Sequence, residues 1–143
     1  MSPAVKFLIG LAAVLLMGWV YHGPLGNGER LIDGLERQAR ASVAGTRLPG
    51  IEVQLGRDPL SRHATLSGSA DRFQREGQGS LKGINDLVDE IPGISGFHWT
   101  DEPAEARVMP LLLEAFVQVL LAYLVGLAIA WLFWGRKRRE GYY

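Results

Sequence analysis

The side-chain types of a hydrolytic site occur together in one short segment of the chain, at Asp58, Ser61 and His63. In a serine hydrolase the hydroxyl attacks, the imidazole takes its proton, and the carboxylate orients the imidazole. The members of such triads come from separate parts of a fold, whereas these three residues lie within one predicted hairpin turn. We therefore interpret the segment as a solvated turn and predict that the protein is not an enzyme.

Metal and cofactor sites have equally little support in the residue pattern. The three histidines, His22, His63 and His98, are far apart, and none has a second histidine or a cysteine at ligand spacing. The carboxylate pairs Asp89-Glu90 and Asp101-Glu102 lack the glycine-containing loop of a calcium site. His22 lies at the end of an apolar segment and could ligate a haem. We prefer the interpretation that it is a histidine solvated at the membrane interface. We predict no metal and no cofactor.

Two apolar segments, residues 4–21 and 110–135, dominate the chain. About 20 apolar residues are needed to cross the ~30 Å hydrocarbon core of a bilayer, so each segment predicts a transmembrane helix. In the first segment the apolar run after Lys6 is long for a signal peptide and no small-x-small cleavage site follows it, which favours a retained helix. Aromatic residues at the ends of both segments predict interfacial anchors. These are Trp19, Tyr21, Trp131 and Trp134.

A basic tail follows the second span and predicts the topology. Clustered Lys and Arg beside a span stay in the cytoplasm, so residues 1–3 and 136–143 are expected inside a bacterial inner membrane and residues 22–109 in the periplasm. That central region holds ten Lys and Arg against thirteen Asp and Glu, in agreement with an outside location. We expect the tail to contact anionic headgroups, at about 1 kcal/mol per charge, and expect no nucleic-acid partner. Its basic residues are Arg136, Lys137, Arg138 and Arg139.

One stripe of the second span combines polar and small residues. A spacing of four keeps side chains on one helix face, and small side chains let another helix approach closely. A carboxylate within a span is costly unless it faces protein, water or headgroups. We predict that this stripe is a helix contact face. The alternatives are that Glu114 snorkels to the outer interface, or that the stripe is a proton or ion relay. The stripe consists of Glu114, Gln118, Ala122, Gly126 and Ala130. Small residues of the first span, Gly10, Ala13 and Gly18, predict an antiparallel helix pair.

Residues 22–109 predict a small α+β domain. The chain has no cysteine, so this region must fold on an apolar core without disulfides. Residues at helical and alternating spacing give the order helix, strand, strand, helix, strand. The predicted elements are a helix over 29–44 with Asn27 as N-cap, strands over 51–55 and 63–68, one kinked helix or two short ones over 71–90 joined near 77–79, and a strand over 94–99.

This order of elements resembles a BON domain. The resemblance is carried by Ala64-Thr65-Leu66-Ser67-Gly68, an apolar strand ending in glycine, and by Ile91-Pro92-Gly93-Ile94, a helix end followed by glycine and the last strand. It covers about residues 28–101, and the glycine-rich middle of the second helix departs from it. The whole chain is also similar to small alphaproteobacterial membrane proteins. The resemblance implies a non-catalytic envelope module for lipid, cell-wall or protein contacts, with Gly68 and Gly93 in structural roles.

Two functions fit these observations. The first is a non-catalytic accessory subunit of a larger inner-membrane complex, respiratory or photosynthetic, that packs on integral-membrane partner subunits through the second span. The second is a periplasmic module that attaches the membrane to lipid or peptidoglycan.

Overall fold

A computed structural model describes residues 2–103 and 108–135, with side chains through Phe133. These residues form five α-helices and one three-stranded sheet. The chain divides into a unit of Met1–Leu25 with Leu112–Tyr143 and an α+β domain, Gly26–Leu111. The tail residues Arg136, Lys137, Arg138 and Arg139 and the side chain of Trp134 lie outside the described part. In chain order the elements are α1 (Pro3–His22), α2 (Asn27–Ala44), β1 (Glu52–Arg57), β2 (Leu60–Ser67), α3 (Arg72–Glu76), α4 (Ile84–Asp89), β3 (Gly96–Trp99), α5 (Leu111–Ala130) and a π-helical turn (Trp131–Gly135).

Two helices are long and apolar enough to cross a membrane, which confirms that prediction at the level of length and composition. They cover Pro3–His22 and Leu111–Phe133. The Ser2 side chain caps α1 by accepting the N–H of Val5 at 3.3 Å, and Pro3 occupies the first turn, where no N–H is needed.

The α1 and α5 helices pack antiparallel on each other through two glycines of α1. The aromatic ring of Tyr123 lies over Gly10, and its hydroxyl donates to the Phe7 carbonyl at 2.9 Å. Phe116 fills the corresponding space beside Gly18. Large side chains of α5 therefore fit against the small residues of α1, whereas Ala13 is exposed and takes no part.

The α+β domain has a sheet in the order β1-β2-β3, in which β1 and β2 are antiparallel and β2 and β3 are parallel. Alternate residues of β2 are directed to opposite faces, and Ala64 and Leu66 are fully buried against the helices. The apolar face of α2 and the end of α4 complete the core. Its most buried members are Ile32, Ala39, Val53, Ala64, Leu66, Ile84, Val88 and Trp99.

Side chains of α2 occupy the free edge of β1, an arrangement we call the edge clamp. Glu36 accepts the Leu55 N–H at 3.2 Å, and Arg40 donates to the Val53 carbonyl at 2.9 Å. Arg57 reaches back to Glu36 at 3.0 Å. An edge strand otherwise presents unpaired backbone groups to other chains, so the edge clamp both satisfies them and blocks strand addition.

The glycine-rich segment 77–83 divides the predicted second helix into α3 and α4, so the interpretation as two short helices is correct. Gly77 and Gly79 have φ of 78° and 61°, which an α-helix cannot accommodate. Asp71 begins α3 with a reciprocal capping box to Gln74. Several boundaries differ from prediction. Asn27 is the first residue of α2 rather than its N-cap, β1 extends to Arg57, β2 begins at Leu60, and β3 begins at Gly96.

Candidate functional site

A polar groove lies on the face of the sheet opposite the buried Ala64 and Leu66. It has a volume of about 200 Å³ and opens to solvent. The alternation of β2 directs Ser61, His63 and Thr65 to this face. We call it the histidine groove, and it is lined by Gly56, Asp58, Pro59, Ser61, His63, Thr65, His98 and Val108.

Two histidines that are 35 residues apart in sequence meet in this groove. The β2–β3 register pairs His63 with Gly96 and Thr65 with His98, so the two imidazoles are diagonal neighbours. His63 Nε2 and His98 Nδ1 are 2.9 Å apart, and the ring planes are inclined by 23° with centroids 5.1 Å apart. This combination of distances means that the rings meet edge to edge, with one nitrogen donating a proton and the other accepting it. His63 is 7% exposed.

Two glycines leave room for the buried polar side chains of β2. A Cβ on Gly96 would lie 3.2 Å from His63 Nδ1, and a Cβ on Gly56 would overlap the Ser61 hydroxyl. Gly56 lies at a register shift between β1 and β2, where the strand can bend. Alanine at either position would displace Ser61 or His63.

The interpretation of Asp58, Ser61 and His63 as a solvated turn is wrong for two of the three residues. Ser61 and His63 are buried, at 3% and 7% exposure, because they belong to β2 rather than to the turn. All three residues line the histidine groove. One signal in the sequence indicated that the two histidines lie on the same face of the sheet, since His63 and His98 both alternate with core residues. The sequence could not give the β2–β3 register that brings them into contact.

A second polar cluster covers one face of the Trp99 ring. Arg75 lies 4.0 Å from the centre of the indole ring and binds Asp101 through two hydrogen bonds of 3.0 and 2.7 Å. The hydrogen bond from Arg75 holds the pKa of Asp101 below its usual range, and Asp101 in turn raises the pKa of Arg75. Glu102 lies 3.5 Å from the same guanidinium. The single positive charge of Arg75 therefore compensates one of these two carboxylates, and Asp101 has the shorter contacts with it.

The edge clamp carries a further ion pair. Asp33 and Glu36 raise the pKa of Arg57 by hydrogen bonding to its guanidinium. The Arg57–Asp33 contact is 2.6 Å, and both side chains are about half exposed. This cluster holds α2 on β1 and is structural in character.

Most of the predicted stripe of α5 is not covered by α1. Glu114 is half-buried, whereas Gln118, Ala122, Gly126 and Ala130 are exposed. Among residues 2–103 and 108–135, and apart from the surrounding turns of α5 itself, nothing lies within 4 Å of a Cβ built on Gly126. Of the predicted interfacial anchors, Trp19, Tyr21 and Trp131 are exposed.

The glycines singled out by the resemblance both have backbone conformations that favour glycine. Gly68 has φ of 121°, and a Cβ there would overlap the Gly50 carbonyl oxygen. Gly93 has φ of 108° and lies against Leu35, which would be 3.0 Å from an added Cβ. The backbone geometry gives each a structural role.

The fold and the two polar surfaces define an α+β protein with two helices of membrane-spanning length and one small mixed-sheet domain. Within residues 2–103 and 108–135, no group of three or more His, Cys, Asp or Glu side chains is arranged to hold a metal ion. Comparison with protein-family models, curated proteins and solved structures finds no match to the chain.

Proposed function

We propose that this protein is a non-catalytic accessory subunit of a larger bacterial inner-membrane complex, of the respiratory or photosynthetic type. In this proposal α1 and α5 cross the membrane, both termini are cytoplasmic, and the α+β domain, BON-like in the order of its elements, docks on the periplasmic side. The stripe of α5 packs on helices of integral-membrane partner subunits.

The observation that carries the proposal is the open space at Gly126. The contacts of α1 with α5 use Phe116, Val119 and Tyr123, and in the described part of the chain no residue outside α5 lies within 4 Å of a Cβ at Gly126. Small residues spaced by four permit close approach of another helix, and dispersion contacts made at that distance favour association in lipid. A helix of a partner subunit is the occupant that such a surface fits.

The exposed Gln118 supports a protein neighbour over lipid. Its side-chain amide lies in a helix that is apolar apart from Glu114, Gln118 and Tyr123, and an amide that faces hydrocarbon leaves its hydrogen-bonding groups unpaired. A partner helix that supplies a donor or acceptor removes this cost. Gln118 and Gly126 belong to the same stripe, so one partner can satisfy both.

The test is a Gly126→Leu substitution followed by purification in mild detergent and mass spectrometry of the retained proteins. Because Gly126 faces open space within the chain, leucine there should leave α1 and α5 packed as before. We expect the variant to be stably inserted and to lose its partner subunits.

Ala128→Leu is the matched control. Ala128 is two residues further along α5, about 200° around the helix axis, and is also exposed. The control should keep the partners that the Gly126→Leu variant loses. Purification of the wild-type protein alone, or only with copies of itself, would overturn the proposal and would favour the lipid- or peptidoglycan-binding module.

A further inference from the structure

We propose that His63 and His98 form a binding site for a divalent transition-metal ion of the zinc type. The proposal concerns the histidine groove of the α+β domain and does not depend on the subunit role. Its first basis is convergence: two imidazole nitrogens from different strands lie 2.9 Å apart, one buried and one half-buried, at the wall of a groove open to solvent.

The distance between the nitrogens is close to that of a coordinated pair. With metal–nitrogen bonds of about 2.0–2.1 Å, two imidazoles of a tetrahedral zinc site have nitrogens about 3.3–3.4 Å apart. The pair therefore needs to open by only a few tenths of an ångström while each ring turns its lone pair towards a common point. Neutral imidazole also suits Cu²⁺ and Ni²⁺, whereas Mg²⁺ and Ca²⁺ prefer oxygen ligands.

The local backbone favours this site rather than an apolar contact. Gly96 lies directly opposite His63 and leaves the space that the His63 ring occupies. The apolar residues of β3, Phe97 and Trp99, are directed to the other face, so neither histidine contributes to the core. A buried imidazole paired with a half-buried one, neither with an apolar role, is an arrangement that ligand binding explains.

The groove can complete the coordination shell. Two protein nitrogens leave at least two positions open, and the volume of about 200 Å³ has space for water molecules there. Asp58 and Ser61 line the same groove with oxygen atoms that can accept hydrogen bonds from metal-bound water or orient it. Such a site has an exchangeable metal with open positions, rather than a closed structural centre.

Binding must displace the proton shared by the two rings. In the neutral pair, one nitrogen carries the N–H and the other accepts it. For both lone pairs to reach the metal, that proton moves to the other nitrogen of its own ring, and no net charge is transferred. A second proton on either ring removes a lone pair, so Zn²⁺ binding should weaken on acidification.

The experiment is a calorimetric titration of the full-length protein in detergent, without a histidine tag, with Zn²⁺ and in parallel with Mg²⁺. We expect one Zn²⁺ per chain and no heat with Mg²⁺. Loss of a direct ligand exceeds the effect of losing an outer-shell partner, so His98→Gln should weaken Zn²⁺ binding by at least about tenfold. His22→Gln is the matched control, because His22 lies at the end of α1, and should leave binding unchanged.

A measurement on the unmodified protein guards against a variant that does not fold. Nitrogen NMR of the imidazoles should show Zn²⁺-dependent shifts at His63 Nε2 and His98 Nδ1 and none at His22. Absence of Zn²⁺ binding, or binding that is unchanged by a folded His98→Gln variant and shifts only His22, would overturn the proposal.

Discussion

At the scale of single residues, the glycines of the α+β domain act through the space that they leave. The missing side chain of Gly68 leaves room for the carbonyl of Gly50. Gly93 packs against Leu35, and Gly96 leaves room for the ring of His63. Each has a positive φ that disfavours other residues. By contrast, Gly34 lies within α2, where an added methyl group meets nothing within 4 Å. Glycines in this one domain therefore have opposite effects on stability.

Alanine substitution at the two kinds of glycine should change the free energy of unfolding in opposite directions. Gly68→Ala should lower the free energy of unfolding by more than about 1 kcal/mol, because the methyl group is both strained and in collision with the Gly50 carbonyl. Gly34→Ala, its control, should raise it by about 0.5–1 kcal/mol through helix propensity. Thermal unfolding followed by circular dichroism measures both, and equal shifts of the two variants would refute the assignment of Gly68.

At the scale of elements, α2 is bound to the sheet by the edge clamp as well as by its apolar face. Glu36 is only 8% exposed and contacts both Arg40 and Arg57 while it accepts the Leu55 N–H. Because the two arginines compensate its charge, a carboxylate can remain in this position. The clamp therefore replaces the missing neighbour strand with side chains.

Removal of this carboxylate should destabilise the domain. Glu36→Ala leaves the buried Leu55 N–H without its acceptor, at an expected cost of about 1–3 kcal/mol. The control, Glu76→Ala, removes an exposed pair with Arg72 on α3 and should cost no more than about 0.5 kcal/mol. Hydrogen exchange of the Leu55 amide provides the local readout, and unchanged protection in Glu36→Ala would contradict the role of the clamp.

At the scale of the whole molecule, two helices of spanning length flank one folded domain in the chain. The proposed orientation rests on the positive-inside rule and on the excess of acidic residues in the central region. It leads to a direct labelling experiment.

The chain contains no cysteine, so a single introduced thiol reports one location. In spheroplasts, a membrane-impermeant maleimide should label a Ser80→Cys variant, since Ser80 is exposed in the α+β domain. A Ser2→Cys variant, at the predicted cytoplasmic end, should be labelled only after permeabilisation. The reverse pattern would overturn the proposed orientation.

The amino-acid sequence by itself determined the elements that depend on local pattern. Hydropathy and length predicted two helices of spanning length, and periodicity predicted α2 and the strands, because these signals lie within each segment. The glycines of segment 77–83 predicted an interruption, but they left one kinked helix and two short helices as alternatives, and the structure shows two. Boundaries shifted by up to three residues, as at the start of β2, since pairing with neighbouring strands decides where a strand begins.

The tertiary structure alone decided which distant residues meet. The parallel register of β2 and β3 brings His63 to His98, and a shift of one residue would direct one of the rings to the opposite face. Side-chain size and rotamer placed Tyr123 and Phe116 against the glycines of α1, although periodicity singled out the small residues of α5. Contacts between separate segments depend on register and packing, which no single segment encodes.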